Sequence, residues 1–393
     1  MLKLRDSIYY VGAINPNMRI FDIIMKTEYG TSYNSYLVTG EKNALIETVH
    51  DRFSNVLFEN IEEIIPLKKL DYIIMNHTEP DHSGSIAKLI EINPDIQIIG
   101  TAAAIKNIGN ITNIQFNSRV VKMGDKLDLG KGVELEFVIA PNLHWPDSMF
   151  TYVPSRKTVF TCDFLGAHYC EPQIWDYKVS YPDAYEGAVE NYYNAIFSPF
   201  KKFVLDGLNK LEALDFDMVC TSHGPVLTEN IKMVMDKYRA WSTPKETDHN
   251  VSIFYVSAYG YTEMFAEEIA KELNALGVPA KTYNVIYTEP AVLSEALAYS
   301  KGYMFGSPTI NRDALKPIWD VISSLDAVNS KGKPVQIFGS YGWSGEACKA
   351  LQERVTAFGL KPVGDFYNFL FKPTADDFAK AKELATAFAE KIK

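Results

Sequence analysis

The chain is poor in the features that most readily announce a function. It has four cysteines in 393 residues, Cys162, Cys170, Cys220 and Cys348, and no two are spaced as C-x-x-C. That argues against a zinc ribbon, a rubredoxin-type iron site or an iron–sulfur cluster in this chain. A disulfide scaffold is equally out of place at this length, so a reducing cytoplasm is the expected compartment. The four thiols read as packed core groups. Long apolar runs are missing too, and nothing approaches the roughly 20 residues of a membrane span. Met1 to Ile14 alternates apolar and polar residues and carries Lys3, Arg5 and Asp6; that is a strand pattern rather than the continuous apolar stretch of a signal peptide. Basic residues are in the minority. The net charge of −10 argues against nucleic acid or an anionic membrane as partner.

Histidine is also scarce, at seven residues, and its distribution is informative. Two short segments collect metal-ligand residue types: His77-Thr78-Glu79-Pro80-Asp81-His82, and Leu143-His144-Trp145-Pro146-Asp147. The first follows the apolar run Leu70 to Met75, which reads as a buried strand. Charged and imidazole groups crowded at a strand end are costly to bury unless they bind something.

The length suggests two or three domains, and the chain has two grammars. Up to about residue 248, strand-like runs (Ser35–Val38, Ala44–Glu47, Tyr72–Met75, Ile96–Ile99, Val133–Ile139, Met149–Val153, Thr158–Thr161) are interspersed with helical patterns, notably Ser83–Ile92 and Tyr185–Ser198. This predicts a layered α/β domain of mixed strands over 1–248. The polar, aperiodic stretch Trp241 to Asn250 reads as a linker. From 249 to 393 the pattern alternates strictly. Strand-like Val251–Ser257, Ala280–Val285, Gly302–Gly306, Pro334–Gly339 and Phe366–Phe371 each precede a helical segment: Thr262–Leu276, Ala291–Ser300, Leu315–Leu325, Gly345–Phe358 and Ala375–Lys391. Five βα units predict a doubly wound parallel sheet with its ligand beyond the carboxyl ends of the strands.

In the first domain, His77, Glu79, Asp81 and His82 are expected in a loop after a strand. His144 and Asp163 follow two further strand-like runs, and His223 follows the run Phe216–Cys220. Loops at one edge of a sheet can converge. The resulting set of four imidazoles, three carboxylates and no thiolate favours iron, manganese or zinc. Zinc hydrolases of the metallo-β-lactamase superfamily generally carry H-x-H-x-D-H at such a position, and Glu79 stands where their second histidine would be. A carboxylate is the harder, more anionic donor and suits ferric iron, and Asp163 can bridge two metals through both oxygens, so the centre reads as di-iron. His50, His168 and His249 read as ordinary packed or surface residues.

In the second domain, Ser257-Ala258-Tyr259-Gly260-Tyr261-Thr262 forms a strand-to-helix turn of small and hydroxylated residues. Backbone N–H groups, hydroxyls and the helix N-terminus suit a phosphate there. No G-x-G-x-x-G fingerprint occurs, which favours a mononucleotide over NAD. Gly306-Ser307-Pro308-Thr309-Ile310-Asn311 and Gly339-Ser340-Tyr341-Gly342-Trp343-Ser344-Gly345 follow the third and fourth strands. Tyr341 and Trp343 offer faces or edges to a flat ring, and the three loops together point to FMN.

With these motifs on the page, the chain closely resembles the flavodiiron proteins (A-type flavoproteins, or rubredoxin:oxygen oxidoreductases). The resemblance spans H-x-E-x-D-H at His77–His82, L-H-W-P-D-S-M at Leu143–Met149, Asp163, S-H-G at Ser222–Gly224, G-S-P-T at Gly306–Thr309 and G-W-S-G-E at Gly342–Glu346. It implies a metallo-β-lactamase-like αββα sandwich joined to a flavodoxin-like domain. It further implies that His77, Glu79 and His144 hold one iron, that Asp81, His82 and His223 hold the other, and that Asp163 bridges them, with Tyr192 able to donate a hydrogen bond or proton nearby. It implies reduction of dioxygen to water, nitric oxide to nitrous oxide, or both, in a head-to-tail homodimer or a dimer of dimers. Two departures stand out. Many members have a histidine after an aromatic residue near the substrate pocket, whereas here Phe21 is followed by Asp22. The sequence also stops after the flavodoxin-like segment, so the expected donor is a separate rubredoxin or reduced coenzyme F420. The competing reading of the same ligand set is a binuclear zinc hydrolase with an accessory flavodoxin-like module.

Overall fold

The computed structural model describes residues 1–393 except Ile24, Glu246, Thr247 and Lys393. It divides into two compact units, Met1–Thr243 and Pro244–Lys393. Among the described residues no helix is long and apolar enough to cross a membrane.

The first unit contains two large sheets. One has seven strands, in the spatial order Leu2–Arg5, Ile8–Tyr10, Tyr36–Thr39, Asn43–Ile46, Tyr72–Met75, Gln97–Gly100 and Asn117–Val120. The other has five, in the order Lys126–Asp128, Glu134–Ile139, Met149–Val153, Thr158–Cys162 and Met218–Thr221. Their inner faces share one core, in which Tyr36, Val38, Ile46 and Ile74 meet Leu135, Phe137, Phe160 and Cys220. The outer faces are covered by helices. Ile73 and Ile98 pack with Leu57, Leu89 and Ile108 on one side, and Phe150, Val159 and Val219 pack with Val189, Leu208 and Val234 on the other. The strand Tyr72–Met75 is apolar throughout because both of its faces are covered. This is the αββα sandwich expected from the sequence.

Three details differ from expectation. The helical stretch Ser83–Ile92 is two short helices, Pro80–Ser83 and Ile86–Ile92. The break falls at Gly84, where a Cβ would lie 2.6 Å from the Asp51 amide nitrogen, so the chain passes too close for any side chain. Asp81 and His82 therefore sit in a helical turn rather than a loop. The pattern over Tyr185–Ser198 is a helix, Pro182–Tyr192, continued by a π-helical turn, Tyr193–Phe197. Trp241 and Ser242, read as the start of the linker, close the helix Ile231–Ser242, where the Trp241 ring packs 4.9 Å from Tyr193 and 6.0 Å from Tyr238. Tyr238 and Trp241 are three residues apart on one helix face. Of the linker residues, Glu246 and Thr247 lie outside the described residues.

The second unit is a parallel sheet in the order Ala280–Asn284, Val251–Tyr255, Gly302–Gly306 and Pro334–Tyr341, with Lys361–Pro362 and Tyr367–Leu370 both pairing with the last. Helices cover both faces, giving two cores. Val251–Tyr255, the earliest of these strands in the chain, lies between the next two, Ala280–Asn284 and Gly302–Gly306, so the strand order reverses there. That reversal opens a crevice at the carboxyl ends of Val251–Tyr255 and Gly302–Gly306.

Candidate metal and flavin sites

In the first unit the ligand-type side chains converge from four strand ends. His77 follows Tyr72–Met75, His144 follows Glu134–Ile139, Asp163 follows Thr158–Cys162 and His223 follows Met218–Thr221. The structure brings all seven together in two groups whose donor atoms lie within 4.8 Å of one another: His77, Glu79, His144 and Asp163 in one, and Asp81, His82 and His223 in the other. Asp163 faces both. Its Oδ2 is 3.7 Å from His77 Nε2 and 3.6 Å from His144 Nε2, while its Oδ1 is 3.1 Å from His82 Nε2 and 3.4 Å from His223 Nε2. Glu79 Oε2 lies 3.3 Å from His77 Nε2 and 3.2 Å from His144 Nε2, and Asp81 Oδ2 lies 3.0 Å from His223 Nε2.

The outer nitrogens of two imidazoles are committed elsewhere. His77 Nδ1 is 3.2 Å from Asp147 Oδ2, and His223 Nδ1 is 2.6 Å from the Ser32 carbonyl. A carbonyl accepts only, so His223 donates from Nδ1 and keeps its Nε2 lone pair for the interior. Gly224 lets the chain turn here; its φ is +81° and a Cβ would sit 2.7 Å from the Ala167 carbonyl. Burial works against charge on His77, but the Asp147 and Glu79 carboxylates outweigh it and hold its pKa well above the usual imidazole range. For His82, Asp81 and then Asp163 overcome the same burial and raise it to about 10. The centre thus draws positive charge inward.

The donor set fits a pair of metal ions. Asp81 Oδ1 and Oδ2, His82 Nε2 and Asp163 Oδ2 are buried without a hydrogen-bond partner. Buried polar atoms left unsatisfied are rare and call for an explanation such as an ion, and paired oxygens from Asp163 facing two nitrogen-rich groups supply one. Cys162 is near the cluster, but burial pushes its thiol well up and it remains a thiol.

Tyr192 donates to Asp163 Oδ1 at 3.0 Å, and burial followed by the Asp163 charge pushes its phenol far above its usual pKa. Trp145 packs edge-on to His77 at 4.9 Å, and Phe197 lies 6.2 Å from His144. Asp22 adjoins the cluster from its exposed side; partial burial, then Glu79 and Asp81, push it up to about 6.

Several neighbours were not singled out from sequence. Asp147 is within a quoted motif, yet its contact with His77 joins residues 70 positions apart. Glu47, fully buried, accepts from the His77 amide at 3.3 Å and is pushed up to about 8 by burial. His168 is packed, as expected for it, but beside the centre: its ring is 4.9 Å from His223 and 4.8 Å from Tyr192, and its Nδ1 is 2.7 Å from Thr31 Oγ1. His50 is a partly exposed cap accepting from the Arg52 amide, and His249 lies in the second unit, bonded to Ser252.

In the second unit a cavity of about 650 Å³ opens at the crevice. Ala258, Tyr259, Tyr261, Pro308, Thr309, Asn311, Ser340, Tyr341, Gly342 and Trp343 line it, as do Ile310 and Ser344 of the same loops, and Arg312 and Phe371, which lie outside the loops read from sequence. Ser257, Gly260, Thr262, Ser307 and Gly345 do not line it. Gly260 caps the helix Tyr261–Ala275 with φ +81°, and Gly345 caps Glu346–Ala357. Thr262 Oγ1 is buried 3.0 Å from Ser340 Oγ, Ser257 Oγ accepts from the Glu263 amide, and Ser307 Oγ accepts from the Leu315 amide at 3.0 Å. These five shape the loops from behind. Hydroxyls, amides and apolar rings around a crevice of this size suit a flat cofactor with a phosphate.

Comparison with known proteins agrees with this division. The family described as ODP family beta lactamase matches residues 31–224, and the Flavodoxin family matches residues 253–389. The chain is 48% identical to the flavo-diiron protein FprA2 of Clostridium acetobutylicum over 397 aligned positions, covering 100% of this chain and 99% of that protein. It is 35% identical to the anaerobic nitric oxide reductase flavorubredoxin of Vibrio vulnificus, covering 92% of this chain and 74% of the relative. Among solved structures, rubredoxin oxygen:oxidoreductase from Desulfovibrio gigas superposes with a TM-score of 0.69 at 28% identity, covering 99% of this chain and 98% of that one.

Proposed function

The chain belongs to the flavodiiron protein family, whose cofactors are FMN and a non-haem di-iron centre, and from that premise we propose that it reduces dioxygen to water, nitric oxide to nitrous oxide, or both. His77, Glu79 and His144 would hold one iron, Asp81, His82 and His223 the second, and Asp163 both. The observation that carries this reading is the division of labour within Asp163, one carboxylate oxygen toward each group. The loops 257–262, 306–311 and 339–345 would hold FMN. When bound, the two irons supply two electrons and the flavin two more, which matches the four that dioxygen needs to become water.

The chain's own residues do the rest. Asp147 and the Ser32 carbonyl fix the orientations of His77 and His223 before any metal arrives, which removes reorganisation from the binding step. Tyr192, kept protonated by burial, presents an O–H at Asp163 Oδ1 and can lend a proton there. Asp22 stands beside Glu79 on the exposed side of the cluster, its carboxyl raised first by burial, and is placed between solvent and the centre. Trp145 and the fully buried Phe197 pack against His77 and His144 and give these rings an apolar backing. Electrons would come from a separate donor, a rubredoxin or reduced coenzyme F420, and the assembly would be a head-to-tail homodimer or a dimer of dimers. The full-length relatives are flavodiiron and flavorubredoxin proteins, which does not favour the hydrolase alternative.

The test is anaerobic reduction of the purified protein followed by turnover with dioxygen and with nitric oxide, using one donor for both. His144→Ala should abolish reduction of either gas and leave the flavin spectrum intact. Turnover of neither gas by an iron- and FMN-loaded protein would refute the assignment.

A further inference from the structure

The cavity of the second unit has an unusual charge balance. Among the described residues that line it, Arg312 alone is formally charged, and no aspartate or glutamate takes part. Its place is fixed by backbone and side chain together. Thr309–Ile310 and Asp313–Ala314 form an antiparallel hairpin whose two-residue turn is Asn311-Arg312, with φ of 56° and 62°. Both central residues are left-handed, which a two-residue hairpin turn of this kind demands and which asparagine tolerates far better than arginine. The Arg312 Nε donates to Glu346 Oε1 at 2.9 Å. That bond anchors the guanidinium to the start of the helix Glu346–Ala357 and leaves the two terminal nitrogens as further donors. The remaining walls are tyrosine, tryptophan, phenylalanine, small hydroxyls and backbone.

The proposal deepens the flavin reading above and rests on it. We propose that Arg312 sets the balance between oxidised and two-electron-reduced FMN, favouring the reduced form. Reduction adds two electrons and, near neutral pH, one proton at N5, so the ring gains one net negative charge. A fixed cation in the same cavity binds that anion more tightly than the neutral oxidised ring. The Arg312 side chain is largely exposed and Trp343 fully so, so the attraction acts across the hydrated mouth of the cavity and depends on how close the ring lies to the guanidinium. A phosphate-binding role for Arg312 would act on both redox states alike, since the phosphate does not change. The phosphate already has a suitable cradle at the N-terminus of the helix Tyr261–Ala275.

The experiment measures FMN dissociation constants on the full chain, aerobically and after dithionite reduction, for wild type and for R312Q, R312K and E346Q, alongside a potentiometric titration. For R312Q the affinity for reduced FMN should fall about tenfold more than that for oxidised FMN. That is a two-electron potential about 30 mV lower. R312K should keep most of the wild-type ratio, because it keeps the charge. E346Q should move the ratio the other way, because it removes the opposing carboxylate and leaves Arg312 in place. Equal losses of both affinities in R312Q would overturn the proposal, as would R312K behaving like R312Q. A wild-type chain that binds neither form of FMN would sink the flavin reading itself, a result distinct from FMN bound with an unmoved ratio.

Discussion

Asp147 Oδ2 lies 3.2 Å from His77 Nδ1, and neither side chain is exposed to solvent. Thr78 Oγ1 donates to the same carboxylate oxygen at 2.7 Å, so the aspartate is itself held. Removing such a partner frees the ring to rotate and lowers its basicity, at a typical cost of 10–100-fold in metal affinity. Asp147→Ala should therefore retain roughly 10- to 100-fold less tightly the iron proposed for His77, Glu79 and His144, with FMN per chain unchanged. Iron and flavin quantified on the same sample decide it.

Tyr192 and Asp163 make the second test. Tyr192→Phe removes one buried hydrogen bond of 3.0 Å to the proposed bridging carboxylate. The net stability loss should be about 1 kcal/mol. Iron content should hold, whereas turnover should fall by about tenfold or more if the hydroxyl supplies a proton or a hydrogen bond at the centre. Normal turnover in a variant with full iron would remove Tyr192 from the mechanism.

In the second unit, Thr262 reaches the cavity only through Ser340, at 3.0 Å. Thr262→Ala should loosen Ser340 and weaken FMN retention by roughly fivefold, the equivalent of about 1 kcal/mol. Iron should be unaffected. Equal flavin affinity in the two proteins would show that the loop does not depend on this contact.

Lys333 allows a test of stability alone. Its Nζ donates to Tyr303 Oη at 2.8 Å, and burial lowers its pKa to about 8 against the pull of Asp326. A lysine with a folded pKa below its unfolded one costs stability while both states are protonated, below about pH 8. Between about 8 and 10.5 the unfolded chain binds the extra proton, so stability rises with pH and the cost fades. Lys333→Met should accordingly stabilise the second unit by about 1–3 kcal/mol at pH 7, with little gain left near pH 10.5. Calorimetry at the two pH values checks the sign; a gain that grows with pH would contradict it.

The ligand-type residues were readable from sequence because chemistry and spacing coincide locally. Four of the seven sit within His77–His82, and the others each follow a strand-like run. What holds them was not readable. Asp147 meets His77 across 70 positions, and the Ser32 carbonyl meets His223 across 191; such contacts depend on the two sheets packing face to face. His168 illustrates the same limit: a single histidine in a buried segment has no local signature, and only the turn after Asp163 brings it beside His223. In the second unit the alternation of strand-like and helix-like runs revealed the sheet because its central strands, Val251–Tyr255, Gly302–Gly306 and Pro334–Tyr341, are buried almost throughout and read as continuous apolar runs. Arg312 escaped notice because it lies one residue past the second loop as read from sequence and is brought to the cavity by the hairpin turn Asn311-Arg312. Helix ends were displaced where a close backbone approach intervened, at Gly84, or where an aromatic residue extended the packed face, at Trp241.

The carboxylate oxygens of Asp81 and Asp163 that find no hydrogen-bond partner bear on how the protein matures in the cell. The imidazoles beside them leave these buried oxygens without hydrogen-bond partners, and such atoms are satisfied only when cations sit among them, so the amino-terminal half is complete only once it is loaded. The carboxyl-terminal half folds around its own pair of apolar cores and need not wait. Iron supply, rather than flavin supply, is then the step that governs how much finished enzyme accumulates, and growth under iron starvation should yield chains that are yellow but idle.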